Sequence, residues 1–445
     1  MFRNRICAIL TVVALGLTTS TSMGQTEDLA HLLAPCIAED TVAVVSIDAG
    51  RIDVDAIAKM VIDTAASTMD ASQAQQLKDI MQRLGQTWKQ RLTQFSAAGG
   101  ERLYIVCNLS DLLLAVPATA RLNESAMKSW MDNLGAGQLA YARKDGLLIA
   151  APAWAMERRK AQPSLRRTEL GQAATKGVKA PVEIYLIPSA DSRRVLEAML
   201  PTMLGPAFNL RDGALVQGLQ WATISLNPPP AGTLQMHVES ADATSAAAIR
   251  DVVAAALTQL SEIAALKQAY PRLDTAVAML TPQVVGNSAR VGLDRTQFHR
   301  LAADFLTPGL FAMHQSILRL QCGTTLSGMG KAVLIYANDY DDKWPPTLET
   351  LVERAEYPRS GLLCPAMRHR PDYESYVYRG VDTGGAWVEP MIIMVHDRAG
   401  NHEGGRNVLF VDSHVEWVTE ERFAELVKQD NELRRKRGFA EKPAQ

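Results

Sequence analysis

The sequence predicts an α+β protein in which two similar modules precede a domain that combines one long helix with a small antiparallel sheet. Three observations lead to this prediction. A strand, a turn and a helix follow one another at residues 42–53 and again at 182–193. From Phe305 to Tyr336, apolar residues recur at helical spacing. Residues 407–417 have the alternation and central turn of a β-hairpin.

Length and composition give the outline of the domain organisation. The chain has 445 residues, of which 47% are hydrophobic and 21% charged, as in ordinary globular proteins. At roughly one domain per 150 residues, about three domains are expected. The formal net charge of −2 excludes a strongly basic surface, so no nucleic-acid partner is predicted.

The N-terminus has the layout of a secretory signal. Arg3 and Arg5 precede an apolar run over residues 6–17, and small polar residues follow it. We therefore expect residues 1–25 to be a signal peptide and the mature protein to be periplasmic or secreted. The run is shorter than the ~20 residues of a membrane-spanning helix, so no stable span is expected after cleavage. A retained anchor stays open, because the cleavage site is not a clean small-x-small sequence.

Export to an oxidising compartment makes cysteine pairing relevant. Removal of the signal leaves Cys36, Cys107, Cys322 and Cys364, which allow three pairings. Pairing of Cys36 with Cys107 and of Cys322 with Cys364 keeps each disulfide within one predicted domain. A zinc site built from the four cysteines is not expected, since none is spaced as C-x-x-C.

The first predicted module covers residues 36–156 and the second covers 181–304. The first alternates strands and helices in the order β-α-β-β-α-β, which is typical of a ferredoxin-like sandwich. The second restarts with the strand at Val182 and follows a similar plan. Between them, the basic stretch 157–180 is interpreted as an exposed linker, with an anion-binding role as the alternative.

The predicted third domain covers residues 305–418. Its helix is expected to end at the turn-forming residues 338–342, because Pro345 and Pro346 cannot continue it. A closing hairpin with Asp412 and Ser413 as its loop would place Val408, Phe410, Val415 and Trp417 on one face, against the long helix. Ser413 occupies a turn position that glycine would suit better.

These features resemble the pseudopilin-like family of bacterial exported proteins that carry a C-terminal H-x9-D-G motif. Nine residues separate His402 from Asp412, as in the motif, and Ser413 replaces the glycine. The resemblance covers about residues 301–418 and includes the helix cysteine, the YANDYDD turn and the Cys364-Pro365 pair. It implies a fold like the head of a type II secretion pseudopilin, with envelope or secretion-system proteins as partners.

The richest polar cluster in the sequence lies near this motif. Imidazole and carboxylate groups bind transition metals, so His402, Asp412, His414 and Asp397 are the candidate ligands of a divalent metal, with His396 nearby. The alternative is a histidine that simply bonds to the hairpin turn. The acidic residues at 338–342 could bind calcium or could form a helix-ending turn.

Catalytic signatures are missing from the sequence. It has no phosphate-binding loop, no G-x-S-x-G elbow and no H-E-x-x-H helix, so no catalytic residue and no organic cofactor are predicted. We expect a non-catalytic envelope protein with a scaffold or interaction role. The alternatives are a metal-dependent hydrolase using His402, Asp412 and His414, or a ligand-binding protein with a cleft between its first two modules.

The tail, residues 419–445, is predicted to begin as an amphipathic helix and to end in a basic segment. Phe423, Leu426 and Val427 share its apolar face. The basic residues 434–437 are expected to be solvated, with contact to an acidic polymer or lipid as the alternative.

Overall fold

The computed structural model describes residues 28–134, 138–160, 164–204, 218–368, 370, 372–380 and 390–443. The predicted signal peptide, residues 1–25, lies outside these ranges. The chain divides into two compact units, one ending at Pro308 and the other beginning at Gly309. The predicted α+β class is confirmed, since both units combine helices with antiparallel sheets.

The first unit contains a ten-stranded antiparallel sheet. Its strands are β1 Thr41–Asp48, β2 Arg102–Asn108, β3 Leu112–Pro117, β4 Leu139–Lys144, β5 Leu147–Pro152, β6 Val182–Leu186, β7 Leu219–Asn227, β8 Thr233–Ser240, β9 Gln283–Val285 and β10 Ser288–Leu293. Its α-helices are α1 Leu29–Leu32, α2 Val54–Thr68, α3 Ala71–Ala97, α4 Glu124–Asp132, α5 Ala153–Lys160, α6 Thr168–Lys176, α7 Ala190–Leu204, α8 Ala243–Glu262, α9 Ala264–Ala269, α10 Leu273–Leu280 and α11 Arg295–Leu301.

The strand order repeats in the two halves of this sheet. The order is β4-β5-β3-β2-β1-β6-β7-β8-β10-β9. From the centre outwards, each half contains its first, second, third, fifth and fourth strands, counted along the chain. β1 and β6 pair in the middle, with Val45 opposite Ile184. Backbone hydrogen bonds therefore join the two halves where the sequence suggested a cleft between modules. The predicted ferredoxin-like modules are not reproduced strand for strand.

The segment predicted as an exposed linker, residues 157–180, is instead part of the fold. It contains the end of α5 and all of α6, and Leu170 and Ala173 on α6 are buried in the main core with Trp221. Arg159 is also buried. The basic residues suggested a solvated connection, but the apolar residues among them cover one face of the sheet.

Capping residues fix several helix starts in the first unit. The side chain of Asp53 accepts a hydrogen bond from Ala56 N at 2.7 Å and begins α2. Asp242 accepts one from Ser245 N at 2.7 Å and begins α8. Asp53 and Asp242 are therefore the N-caps of these two helices.

The second unit packs one long helix on a four-stranded sheet of order β11-β12-β13-β14. A π-helical turn, Ala302–Leu306, leads into the helix at the boundary between the units. The elements are α12 Thr307–Asp339, α13 Leu348–Arg354, β11 Tyr376–Tyr378, β12 Ile393–Asp397, β13 Arg406–Phe410, β14 Val415–Val418 and α14 Glu420–Lys436. Leu326, Met329 and Val333 of α12 are fully buried against Leu409 and Met394 of the sheet.

The long helix ends where the sequence predicts. α12 stops at Asp339, and Asp341 and Asp342 take left-handed backbone conformations, with φ of 56° and 58°. This stretch is a helix-ending turn, and its carboxylates do not converge on a metal site within the described residues.

The register of the closing hairpin differs from the prediction by one residue. Leu409 pairs with Val415 and Asn407 with Trp417, because the loop has three residues and closes between Phe410 and His414. Val408 and Phe410 therefore face away from the long helix, while Val415 and Trp417 are on the other face. Ser413 adopts a φ of 71°, a left-handed conformation that favours glycine, as expected.

The tail helix α14 covers the second face of the small sheet. Phe423, Leu426 and Val427 are buried with Val408 and Phe410, which confirms the predicted apolar face. Arg434 is not solvated as expected, because it is buried in an ionic network with Asp430 and Arg379. Along the described stretches of the chain, no helix combines the length and apolar character needed to cross a membrane.

Candidate functional site

Four side chains with metal-ligating atoms meet inside the second unit. Cys322 lies on α12, Cys364 comes just before a short 3-10 helix, Asp397 ends β12 and His402 lies in the turn between β12 and β13. One ligand atom from each lies within 4.8 Å of all the others, and all four residues are buried. The long helix, a loop and the sheet are therefore joined at one point in the core.

The distances within this cluster, which we call the CCDH cluster, are short. Cys322 Sγ lies 3.0 Å from Asp397 Oδ1, and Cys364 Sγ lies 3.4 Å from His402 Nε2. His402 Nε2 is also 3.6 Å from Asp397 Oδ2. Cys364 and Asp397 thus approach the same ring nitrogen.

Asp397 is held by neutral donors on both of its oxygens. Asn407 N and Asn407 Nδ2 donate to Oδ2 at 2.8 and 3.1 Å, and Asn401 Nδ2 donates to Oδ1 at 3.1 Å. Asn401 and Asn407 are themselves buried. A buried carboxylate with three such donors is a strong acceptor that is fixed in direction.

The ionisation of the two cysteines is coupled. The neighbouring Cys322 side chain, aided by the contact with His402, lowers the pKa of Cys364 to about 6. The same contact with Cys364, together with burial, raises the pKa of Cys322 far above its ordinary value. Burial alone would lower the pKa of His402, but its contacts with Cys364 and Asp397 outweigh this and raise it. Cys364 is thus the more acidic thiol of the pair.

Comparisons of the chain with protein-family models, with curated proteins and with solved structures find no match.

The structure brings together two of the four predicted metal ligands. His402 and Asp397 belong to the CCDH cluster, whereas Asp412 and His414 pair with each other in the exposed hairpin turn. His396 is buried on the other face of the sheet, where its ring meets Phe423 at a centroid distance of 4.7 Å. Because neighbouring strand residues face opposite ways, His396 cannot join Asp397 in one site.

Neither predicted disulfide is formed, since all four cysteines are free. Cys36 packs in the core with Val106, so the next residue, Cys107, faces the opposite side of the sheet. Burial raises the pKa of Cys36 to about 12 and that of Cys107 to about 11, which keeps both protonated. The predicted disulfide between Cys322 and Cys364 is wrong, although both residues belong to the CCDH cluster. No local spacing in the sequence brings them together with His402, because Cys322 and Cys364 lie far from it along the chain.

A surface groove of about 520 Å³ lies on the outer side of the CCDH cluster. It is lined by Arg319, Leu320, Gly323, Thr324, Ser327, Asn407, Ser413, His414, Val415 and Trp417. Asn407 and Trp417 connect the two features, since Asn407 binds Asp397 and the Trp417 ring lies edge-on to His402 at 5.8 Å. The Arg319 guanidinium lies over the Trp417 ring at 4.7 Å and covers that face of the ring.

Proposed function

We propose that the chain is an exported, non-catalytic protein of the bacterial cell envelope with a scaffold or interaction role. In this proposal the second unit is a pseudopilin-like head. The observation that carries it is the packing of α12 on the small antiparallel sheet. The motif residues His402 and Asp412 lie in the connections before and after β13 of that sheet. The partners would be envelope or secretion-system proteins.

The conformation of the motif supports the resemblance. Asp412 lies in the hairpin loop, where its carboxylate accepts a hydrogen bond from His414 N at 3.1 Å. Ser413 stands where the family has glycine, and its φ of 71° is one that glycine adopts without strain. The backbone conformation at position 413 therefore explains why a glycine, as in the family, suits this position.

The geometry of the CCDH cluster favours a non-catalytic role. In a nucleophile, histidine and carboxylate relay, the carboxylate orients the second ring nitrogen of the histidine. Here Cys364 and Asp397 both approach Nε2, so Asp397 cannot act as the orienting group. Cys364 and Asp397 are also fully buried, which leaves no position for a substrate.

The first unit would be a duplicated platform in this proposal. We infer that its two halves are copies of one strand and helix module, for which the sequence suggested ferredoxin-like sandwiches. Support comes from the repeated strand order on either side of the β1 and β6 pair. A continuous sheet of this kind suits a rigid scaffold.

Export can be tested directly with a tagged full-length chain in a Gram-negative host. The expected result is a periplasmic or secreted protein whose mass shows cleavage near residue 25. Val12→Glu, which interrupts the apolar run, should retain the precursor in the cytoplasm, and Thr19→Ser serves as the matched control. Cytoplasmic retention of the unaltered chain would contradict the proposal.

The interaction role can be tested with the mature protein and pseudopilin heads from the same organism. Biolayer interferometry should detect binding to at least one head. In parallel, the protein is assayed against ester, phosphate and peptide substrates, where no turnover is expected. Turnover that disappears in both His402→Ala and His414→Ala would instead favour the metal-dependent hydrolase.

A further inference from the structure

The CCDH cluster has the donor set of a structural metal site. Its four potential ligands are two thiols, one imidazole and one carboxylate, and no other grouping of this kind occurs in the described part of the chain. Thiolate and imidazole are soft to borderline ligands that favour zinc and related transition metals over calcium or magnesium. We propose that Cys322, Cys364, Asp397 and His402 bind one zinc ion.

The spacing of the donors fits a tetrahedral ion. Zinc bonds of about 2.0 to 2.3 Å place neighbouring ligands about 3.3 to 3.8 Å apart. The cluster shows 3.4 Å between Cys364 Sγ and His402 Nε2 and 3.6 Å between His402 Nε2 and Asp397 Oδ2. The Sγ of Cys322 is 3.0 Å from Asp397 Oδ1, and one ligand atom from each residue lies within 4.8 Å of all the others, so side-chain movements that draw the four donors together would complete a coordination shell.

The directions of the donors also converge. Both Cys364 and Asp397 approach the Nε2 atom of His402. A catalytic relay would place them on different ring nitrogens, whereas ligands of one metal ion must all point to the same place. Asn407 and Asn401 hold the Asp397 carboxylate, as outer partners hold ligating groups in metal sites. The His402 ring is positioned by its edge-on contact with Trp417.

All four donors come from the protein and all are buried, so the site is closed. Closed four-ligand zinc sites stabilise folds, whereas catalytic sites keep a position for water or substrate. The ion would link α12, the loop before the short helix and the sheet, in the place of a disulfide between Cys322 and Cys364. This inference is independent of the proposed export and scaffold role, since each can fail alone.

The first test measures metal content and coordination. The protein, purified without chelator from zinc-supplemented medium, is expected to contain about one zinc per chain by elemental analysis. Replacement by Co²⁺ should produce the visible bands of a tetrahedral ion and a near-ultraviolet thiolate-to-cobalt band. Unaltered protein that binds neither metal, or whose cobalt spectrum lacks the thiolate band, would overturn the proposal.

Variants assign the ligands. Cys364→Ala and His402→Ala should each reduce bound zinc at least tenfold, while His414→Ala, in the exposed turn, should retain it. Because an alanine variant can fail to fold, Asp397→Cys provides a second check: it supplies another zinc ligand and should retain about one ion. Loss of zinc from His414→Ala but not from His402→Ala contradicts the assignment.

Peptide mass analysis under non-reducing conditions separates zinc from a disulfide. A metal-loaded protein should have Cys322 and Cys364 as free thiols that react with maleimide only after a chelator is added. A disulfide between these residues in freshly purified protein, with zinc uptake only after reduction, would show that the pair serves as a covalent bond and would overturn the proposal.

Discussion

Cys322 Sγ donates to Asp397 Oδ1 at 3.0 Å, and this contact joins the middle of the long helix to the end of β12. Asp397 is the acceptor for three further hydrogen bonds from Asn401 and Asn407. The carboxylate is therefore a shared acceptor for the helix and for two segments of the sheet region.

Asp397→Asn should destabilise the second unit even without metal. An amide has only one acceptor oxygen. At least one of the hydrogen bonds from Asn407 and Asn401 is therefore lost, and the unpaired buried donor costs about 1 to 3 kcal/mol. Urea unfolding in the presence of EDTA measures the effect. Asp372→Asn, at an exposed position, is the control and should change stability by less than about 0.5 kcal/mol. Equal midpoints for the two variants would contradict this role of Asp397.

Asp430→Asn should have a larger effect. Asp430 accepts hydrogen bonds from Arg379 and Arg434, at 2.7 and 2.9 Å, and all three side chains are buried. Removing the negative charge leaves two buried guanidinium groups without a counter-ion, which costs about 3 to 5 kcal/mol.

Thermal or urea unfolding provides the measurement for Asp430→Asn. Glu441→Gln is the matched control, because Glu441 pairs with Arg435 at the surface and such pairs contribute about 1 kcal/mol or less. A loss no greater than that of the control would show that the network contributes little.

Ser413→Gly should stabilise the hairpin. The left-handed conformation of Ser413 is strained for a residue with a side chain, and its relief is expected to raise the free energy of unfolding by about 0.5 to 1 kcal/mol. Ser316→Gly, in the exposed surface of α12, should instead lose about 0.5 kcal/mol. Differential scanning calorimetry distinguishes these opposite signs, and a loss at both positions would be inconsistent with strain at Ser413.

Glu183 should make stability depend on pH. Burial raises its pKa above the ordinary value of 4.5, so the folded protein holds this proton more tightly than the unfolded chain. The stabilising contribution is complete below about pH 4.5 and is lost as the pH rises from there through the folded-state pKa, with a slope of at most about 1.4 kcal/mol per pH unit.

The measurement is a series of urea unfolding curves from acid to neutral pH for the unaltered protein and Glu183→Gln. The difference between the two curves should increase with pH in favour of the glutamine variant. Glu157→Gln, at the surface, should parallel the unaltered protein. A constant difference across the series would mean that Glu183 does not titrate with folding.

Local patterns in the sequence predicted individual helices and strands better than the pairing and packing between them. The helical spacing of α12, its end before Pro345 and the apolar face of α14 each depend on neighbouring residues, and all three predictions are confirmed. The hairpin register failed because a loop of three residues instead of two moves every side chain of one strand to the other face.

Relationships between distant segments could not be read in the same way. The sequence does not show which strand edges pair, so the pairing of β1 with β6 could not be predicted. The four CCDH residues come from four segments, so no spacing rule identifies them together, and Cys36 failed to pair with Cys107 because strand alternation separates them across the sheet.

The central pairing of β1 with β6 covers an edge of each half of the large sheet. A chain containing only one half would leave its first strand as an open edge, rich in valine and isoleucine. Antiparallel pairing lets two identical edges of this kind bind each other about a two-fold axis. In the proposed duplication, this edge would be the interface between two separate copies of the module, and joining the copies would place that interface within one polypeptide.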